Sequence, residues 1–302
     1  MIYRNFDQLM ELVRSNQKKK RTVAVVAAQD SHTLEAVSLA VKAEIVNPVL
    51  IGHKEQIKGH LAILDENPSD YTVIHTETAE EAAYTAAGLV QTGQADFLMK
   101  GLIQTSSLMR VLLSDKAGFR TGSLISHLGF VQIPNYHKLM GITDVALNIY
   151  PDLNQKKAIL ENAVATMSRM GFDTPNVAVL AASEDINPKI PETVDAAELK
   201  RLNQAGSLSG CIVEGPVSYD LAISKEAAEI KGIDSKVCGD ADLLVLPNLA
   251  AGNILYKALR YSAGARTAGM VIGGKVPIVL TSRAAEVDGK FLPLVLAASA
   301  TY

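Results

Sequence analysis

The sequence predicts an α/β protein with two domains. Short apolar runs rich in Val, Ile and Leu alternate along the chain with longer stretches of helical periodicity. Such alternation is typical of βαβ units, whose parallel strands are covered by helices on both faces. The 302 residues exceed the size at which a single hydrophobic core usually stops growing. Residues 118–136 are rich in Gly and Ser, so we predict that the chain crosses between domains there.

The strands are predicted in chain order from short apolar runs that are bounded by polar or turn residues. The first is TVAVVAA from residue 22, and a helical stretch follows it to residue 45. The next predicted strands are NPVLIG, YTVIHT, ADFLMKG, ITDVALN, NVAVLAA, SGCIVEG, DLLVLP and PIVLT, and ENAVATMSRM is among the helices between them. The basic run KKKR at residues 18–21 is interpreted as the solvated end of a surface helix.

Composition excludes several classes of function. The net charge of −3 argues against nucleic acid as the main partner, because binding a phosphate backbone normally requires a basic surface. Only Cys211 and Cys238 occur, which gives neither a disulfide framework nor the spacing of a structural zinc site. The N-terminus lacks an apolar signal core, and no run of about 18 apolar residues is present. We therefore expect a cytoplasmic protein without a membrane partner.

Two strand ends near the C-terminus carry groups that suit an anion. PIVLT ends at residue 281, so Ser282 and Arg283 follow directly where a buried strand ends. DLLVLP ends at residue 247, and the loop after it is predicted to open a helix near residues 251–253, where unpaired backbone N–H groups favour negative charge. Asn253 and Lys257 are four residues apart and share one face of that helix. This pattern predicts chemistry on a phosphate.

Other predicted strand ends add polar residues that can line a cleft. They are Gln29 to His32, Lys100 and Gly101 with Thr105, Ser183 to Asp185, Glu214 to Pro216, and Asn248. The chain lacks the G-x-x-x-x-G-K-[ST] motif of nucleoside triphosphate binding and a G-x-G-x-x-G motif after the first strand. It also lacks a G-x-S-x-G nucleophile elbow. These absences argue against kinases, dehydrogenases and hydrolases of the corresponding families.

Motifs along nearly the whole chain resemble the phosphate acetyl/butyryltransferase family. They are MKGLIQTSSLMRVLL, FRTGSLISH, TDVALNIYPDLNQK, EGPVSYDLAIS, CGDADLLVLPNLAAGNILYKAL and PIVLTSR, in the family's order. The KG-x3-T, RTG-x-LISH and TSR forms look more like phosphate butyryltransferases than like acetyl-specific members.

The resemblance implies the two-domain fold of isocitrate and isopropylmalate dehydrogenases, with the active cleft between the domains. We predict one domain from residues 1–125 plus 275–302 and the other from residues 126–274. It also implies a homodimer or higher homo-oligomer, and the reaction acyl-CoA plus phosphate to acyl phosphate plus coenzyme A in short-chain fatty acid metabolism. Coenzyme A is then a substrate, and no permanently bound cofactor or metal is expected.

The resemblance also assigns roles to residues. Arg283 matches the family's phosphate-binding arginine, Arg110 matches a second arginine of the cleft, and Ser282 matches a serine that hydrogen-bonds the reacting groups. Transfer is expected to be direct, in a ternary complex. Asp288 matches the carboxylate that helps to form the thiolate of coenzyme A, but it lies five residues after Arg283, whereas acetyl-specific members place the acid six after. Glu286 is therefore the alternative base.

Each assignment has an ordinary structural alternative. Arg110 and Lys257 are residues of the kind that helices expose to solvent, and Asn253 can simply cap its helix. Lys100 and Thr105 can mark no more than a strand end and a helix start. His127 is interpreted as a structural histidine, because no acid is adjacent in sequence.

Three alternative functions stay open at this stage. The first is a phosphate acetyltransferase. The second is a metal-dependent decarboxylating dehydrogenase of the same fold, with Asp240 and Asp242 as metal ligands. The third is a protein that binds a small anion without turnover.

Overall fold

The structure, a computed structural model, describes residues 3–15, 20–281 and 287–301, and of Val287 and Asp288 only the backbone. The KKKR interpretation falls partly on residues 18 and 19, which lie outside the described residues. In chain order the first elements are α1 (Phe6–Ser15), β1 (Arg21–Val26), α2 (Ser31–Lys42), β2 (Val46–Gly52), α3 (Lys54–Ile63), β3 (Thr72–His75), α4 (Ala79–Gln91), β4 (Phe97–Lys100) and α5 (Thr105–Leu112).

The middle of the chain continues the alternation after a hairpin. Its elements are β5 (Ser126–Gln132), β6 (Leu139–Thr143), α6 (Leu153–Arg169), β7 (Asn176–Leu180), α7 (Pro191–Gln204), β8 (Ile212–Val217), α8 (Tyr219–Ile223), α9 (Lys225–Ile230), β9 (Leu243–Val245) and α10 (Leu249–Tyr261). The chain then forms β10 (Arg266–Ile272), β11 (Ile278–Val279) and α11 (Val287–Ser299). The predicted α/β class is confirmed.

The chain divides into two compact units. The central unit comprises Met1–Phe6 with Leu124–Thr267, and the terminal unit comprises Asp7–Ser123 with Ala268–Tyr302. Each unit contains strands and the helices that cover them, so each buries a core of its own. The predicted domain ranges stay a prediction.

In the terminal unit the strand order is β3-β2-β1-β4-β11-β10. Neighbouring strands are parallel from β3 to β11, and β10 is antiparallel to β11. The last four residues of β1 are fully buried, as expected for a parallel strand with helices on both faces. The carboxyl ends of β1, β4 and β11 consequently lie at one edge of this sheet.

In the central unit the strand order is β5-β6-β9-β7-β8. The strands β6, β9, β7 and β8 are parallel, whereas β5 runs antiparallel to β6 with Gly129 opposite Ile142. Behind these strands lies a core of aliphatic side chains that includes Val131, Ile142 and Leu244.

Several details of the predicted elements were wrong. The sequence predicted only parallel strands and gave no strand for β5 or β10. ITDVALN forms a strand only up to Thr143, and the remainder is a loop. The helix after DLLVLP begins at Leu249, two residues before the predicted start, because Asn248 caps it through a hydrogen bond from the backbone N–H of Ala251.

Candidate active site

The predicted site residue Lys100 is the last residue of β4 in the terminal unit, and Thr105 begins the helix that follows. There the loop after β4 is bonded to the loop after β1, since Gly101 N–H donates to Val26 at 2.8 Å and Leu102 N–H donates to Ala27 at 2.7 Å. A Cβ atom on Gly101 would lie 2.3 Å from the carbonyl oxygen of Ala27. Glycine is therefore required at this position, and the KG pair has a structural cause.

The backbone of Ala27 turns sharply at this edge. Its φ of 53° lies in the left-handed region that a residue with a Cβ rarely adopts. This residue directly follows the end of β1 at Val26, and Asp30 then caps α2.

Lys100 is buried, and its ammonium binds backbone carbonyls. Its Nζ lies 3.0 Å from the oxygen of Ile103 and 3.3 Å from that of Gly101. These bonds hold the loop that leads into α5. Thr105 is the first residue of α5 and is exposed, and Arg110 is exposed on the same helix. Their predicted roles in substrate binding stay predictions.

The other predicted catalytic residues follow β11. Ser282, Arg283 and the alternative base Glu286 lie outside the described residues. Asp288 is the second residue of α11, and only its backbone is described. The assignments of these residues stay predictions.

In the central unit, α10 carries Asn253 and Lys257. Asn253 Nδ2 donates to the carbonyl of Val145 at 3.1 Å, so this amide ties α10 to the loop after β6. A Cβ on Gly252 would lie 2.3 Å from the carbonyl oxygen of Asp144, which shows how closely the helix approaches that loop. Lys257, one turn further on, is exposed. The alternative of a capping role for Asn253 is wrong, because Asn248 occupies the cap.

Sequence reasoning missed the residue that organises this loop, Asp144. Its buried carboxylate accepts hydrogen bonds from the backbone N–H groups of Ala146, Leu147 and His127 and from the amide of Asn148, at 2.7 to 3.0 Å. The peptide bond between Thr143 and Asp144 is cis. An acid within the apolar run ITDVALN was the available signal, since a buried carboxylate needs several donors.

His127 lies opposite this carboxylate on the hairpin. The residue is buried, and its Nδ1 has no hydrogen-bond partner among the described residues. Burial lowers the pKa of His127, and the charge of Asp144 opposes that shift. The imidazole is therefore neutral at physiological pH, in agreement with the structural interpretation of this histidine.

Asp240 and Asp242, the ligands expected for a metal-dependent dehydrogenase, hold a lysine instead. The ammonium of Lys138 lies 2.9 Å from Asp240 Oδ2 and 3.0 Å from Asp242 Oδ1, and it is buried. His137 Nε2 is 2.8 Å from the other oxygen of Asp240. Burial raises the pKa of Asp240, but the bonds from Lys138 and His137 outweigh burial and hold it below its usual value. The two aspartates therefore form a structural ion cluster with Lys138 and His137.

The two thiols are also in structural positions. Cys211 immediately precedes β8, and Cys238 lies in the segment between α9 and β9; both are buried. Burial raises the pKa of the Cys211 thiol to about 12, and burial likewise raises that of Cys238. Both thiols are therefore protonated at neutral pH, which makes them poor nucleophiles.

Comparison with known proteins shows the family. The model described as phosphate acetyl/butaryl transferase matches residues 61–298. Phosphate butyryltransferase of Clostridium acetobutylicum is 38% identical over 295 residues, which cover 98% of this chain and 97% of that protein. Phosphate acetyltransferase of Thermotoga maritima is 42% identical over 292 residues, which cover 97% of this chain and 98% of that protein.

Solved structures agree with this result. A branched-chain phosphotransacylase from Enterococcus faecalis has a TM-score of 0.84 and 32% identity, covering 93% of this chain and 99% of that chain. A 4-hydroxythreonine-4-phosphate dehydrogenase from Burkholderia phymatum is similar in fold alone, with a TM-score of 0.61, 14% identity and coverage of 94% and 99%. The motifs, the α/β fold and these similarities lead to one conclusion: the chain belongs to the phosphate acetyl/butaryl transferase family.

Proposed function

We propose that this protein transfers an acyl group between coenzyme A and inorganic phosphate, by the reaction acyl-CoA plus phosphate to acyl phosphate plus coenzyme A. The observation that carries the proposal is the family match over residues 61–298, together with similarity along nearly the whole chain to phosphate butyryltransferases and phosphate acetyltransferases. Coenzyme A is a substrate in this proposal, and no permanently bound cofactor takes part.

The acyl group proposed is butyryl or another short chain. The motif forms at residues 100–105, 120–127 and 281–283 favour a butyryltransferase. Phosphate acetyltransferase is the alternative, and a relative of that name is 42% identical to this chain. A branched-chain phosphotransacylase among the solved structures adds branched acyl groups to the set to be tested.

The proposed mechanism is a direct attack. An oxygen of phosphate forms a bond to the thioester carbon, the negative charge moves to the acyl oxygen, and the tetrahedral intermediate then expels the thiolate of coenzyme A. Arg283 and Arg110 hold the phosphate, because a guanidinium binds two oxyanion oxygens at once. Ser282 donates to the developing charge. In the reverse direction Asp288 accepts the thiol proton, with Glu286 as the alternative base.

The surrounding architecture is proposed to be that of isocitrate and isopropylmalate dehydrogenases, with the reaction in a cleft between two domains. The division of the chain into two compact units and the likeness in fold to a 4-hydroxythreonine-4-phosphate dehydrogenase support this proposal. A homodimer and a cytoplasmic location are proposed from the sequence. Within residues 3–15, 20–281 and 287–301, no helix is both long and apolar enough to span a membrane.

A thiol-release assay tests the function. The protein is incubated with phosphate and, in separate reactions, acetyl-, propionyl-, butyryl- and branched acyl-CoA, and the free thiol of coenzyme A is measured with a thiol reagent. We expect phosphate-dependent release that is fastest with butyryl-CoA or another short chain. Release with none of these substrates would overturn the proposal. Tight anion binding without thiol release would then favour a protein that only binds a small anion. Reduction of NAD by a hydroxy acid would favour the metal-dependent dehydrogenase if a chelator abolishes that activity.

A further inference from the structure

The terminal unit contains an ion pair between the buried Lys290 and Asp30, whose side chain is 25% exposed, and neither residue has an assigned role in the proposed reaction. Lys290, in the first turn of α11, is 2% exposed, and its Nζ lies 3.4 Å from Oδ2 of Asp30. Asp30 follows β1 and caps α2, where the same oxygen accepts hydrogen bonds from the backbone N–H and the hydroxyl of Thr33. The pair therefore joins the start of α11 to the carboxyl edge of the sheet.

Stability alone does not account for a lysine at this position. Removing an ammonium from water is costly, and the partial positive charge at a helix N-terminus adds to that cost within the first turn. An apolar side chain of similar length would fill the same buried space without either cost. The charge at Lys290 therefore calls for a role that an apolar residue cannot fill.

The first turn of α11 contains or contacts two residues that weaken a helix. Gly289 has low helix propensity, and Pro293 lies inside the helix. Because proline has no N–H, Pro293 cannot donate a hydrogen bond to the carbonyl of Gly289 four residues earlier. The turn that contains Asp288 is therefore only weakly fixed by the helix itself, and the bond from Lys290 to Asp30 ties it to β1.

We infer that Lys290 and Asp30 are positioning residues that fix the first turn of α11, and with it Asp288, against the carboxyl edge of the terminal unit's sheet. This inference rests on the proposed acyl transfer and on Asp288 as its base. A shift of this turn would displace the backbone that carries the proposed base. A displacement of about 1 Å is enough to lower a catalytic rate by tenfold or more.

The test is a double-mutant cycle in the direction from acyl phosphate and coenzyme A to thioester. We expect Lys290→Met to lower kcat by about tenfold or more with a small change in KM for coenzyme A. In the Asp288→Asn background the same change should lower kcat by less than about twofold, because the group that Lys290 positions is already absent. Lys290→Arg should restore most of the rate.

Asp30→Asn provides a second variant that keeps the helix cap. Asparagine caps a helix as well as aspartate does, so this change removes the charge next to Lys290 and leaves α2 capped. We expect the same loss of kcat and the same lack of additivity with Asp288→Asn. This variant keeps the inference testable if Lys290→Met fails to fold.

Lys156→Met is the matched control. Lys156 is also buried and also bonded to one carboxylate, with Nζ 2.7 Å from Asp195 Oδ2, but it lies on α6 of the central unit. Its loss should lower the melting temperature and leave kcat of the folded protein unchanged. Equal losses of kcat for Lys290→Met in both backgrounds, or normal kcat in Lys290→Met and Asp30→Asn, would overturn the inference. An inactive wild-type protein would instead overturn the proposed function.

Discussion

Arg283 is the residue on which the proposed phosphate site depends. Arg283→Ala should lower turnover by about a hundredfold or more, because the guanidinium stabilises charge that develops in the transition state. Arg283→Lys should restore only part of this loss, since an ammonium is a point charge without the planar fork. Arg110→Ala should raise KM for phosphate. Steady-state kinetics with phosphate as the varied substrate measure these effects, and near-normal values for both alanine variants would contradict the assignment.

Asp288 is distinguished from Glu286 by amide substitutions. Asp288→Asn keeps the side chain's size and removes the base, so formation of thioester from acyl phosphate should slow by about a hundredfold or more with little change in coenzyme A binding. The acidic limb of the pH–rate profile should disappear as well. Glu286→Gln should have a small effect. If Glu286→Gln proves the more damaging change, the base is Glu286 and the reaction itself is unaffected.

His127 should make stability depend on pH. Its ordinary pKa is 6.5, and burial lowers the value in the folded protein. As the pH falls through 6.5 the unfolded chain binds a proton at this histidine while the folded chain does not, so the free energy of unfolding decreases. We expect a contribution of up to about 1.4 kcal/mol between about pH 7.5 and pH 5.5.

Urea unfolding of the wild-type protein and of His127→Asn at the two pH values isolates this contribution. The variant removes the titrating group, so its free energy of unfolding should change less over the same interval. An equal change in both proteins would show that His127 does not cause the dependence. Each protein is compared with itself at the two pH values, so any constant loss of stability caused by the substitution cancels.

The elements that sequence patterns predicted best are the parallel strands with continuous apolar runs. The run in β1 is buried along its last four residues, and such a strand has a clear sequence signal. In contrast, β5 begins with Ser126 and His127 and contains Gly129, so its composition indicates a loop. Its pairing with a neighbouring strand such as β6 makes it a strand. Strand pairing is an effect of context that local propensity does not contain.

Substitution by alanine should have opposite effects at two helical glycines, because one is crowded by a neighbouring loop and the other is not. A Cβ on Gly252 would lie 2.3 Å from the carbonyl of Asp144, whereas a Cβ on Gly88 in α4 would have no neighbour within 4 Å. Gly252→Ala should therefore lower the free energy of unfolding by about 1–3 kcal/mol, as overpacking does. Gly88→Ala should raise it by up to about 1 kcal/mol, because alanine has the higher helix propensity.

Chemical denaturation of the two variants measures these changes. If Asn253 and Lys257 bind substrate as proposed, Gly252→Ala should also raise KM for that substrate, since moving α10 away from the carbonyl of Asp144 would displace both residues. Gly88→Ala should leave the kinetics unchanged. A Gly252→Ala protein as stable as the wild type would mean that the loop after β6 yields easily, and α10 would then not be fixed by this contact.

At the scale of the whole molecule, the family and the order of its motifs were predictable from the sequence, and the supporting contacts were not. The role of Lys100 in substrate binding stays a prediction, and the bonds from its ammonium to the carbonyls of Gly101 and Ile103 were not predicted. Asp144 and Lys290 were not singled out. Asp144 accepts hydrogen bonds from three nearby residues and from His127, whereas Lys290 pairs with Asp30, which lies 260 residues earlier in the chain. Their roles follow from distances, which a single sequence does not provide.

The environments of the two cysteines bear on whether acyl-CoA and phosphate must be bound to the enzyme at the same time. An acyl-enzyme needs an activated nucleophile, yet burial raises the pKa of both Cys211 and Cys238. Direct transfer requires acyl-CoA and phosphate on the enzyme together. Initial rates measured while both concentrations vary should therefore give intersecting double-reciprocal lines. Parallel lines, or an acylated protein detected by mass spectrometry after incubation with acyl-CoA alone, would replace direct transfer with a covalent mechanism.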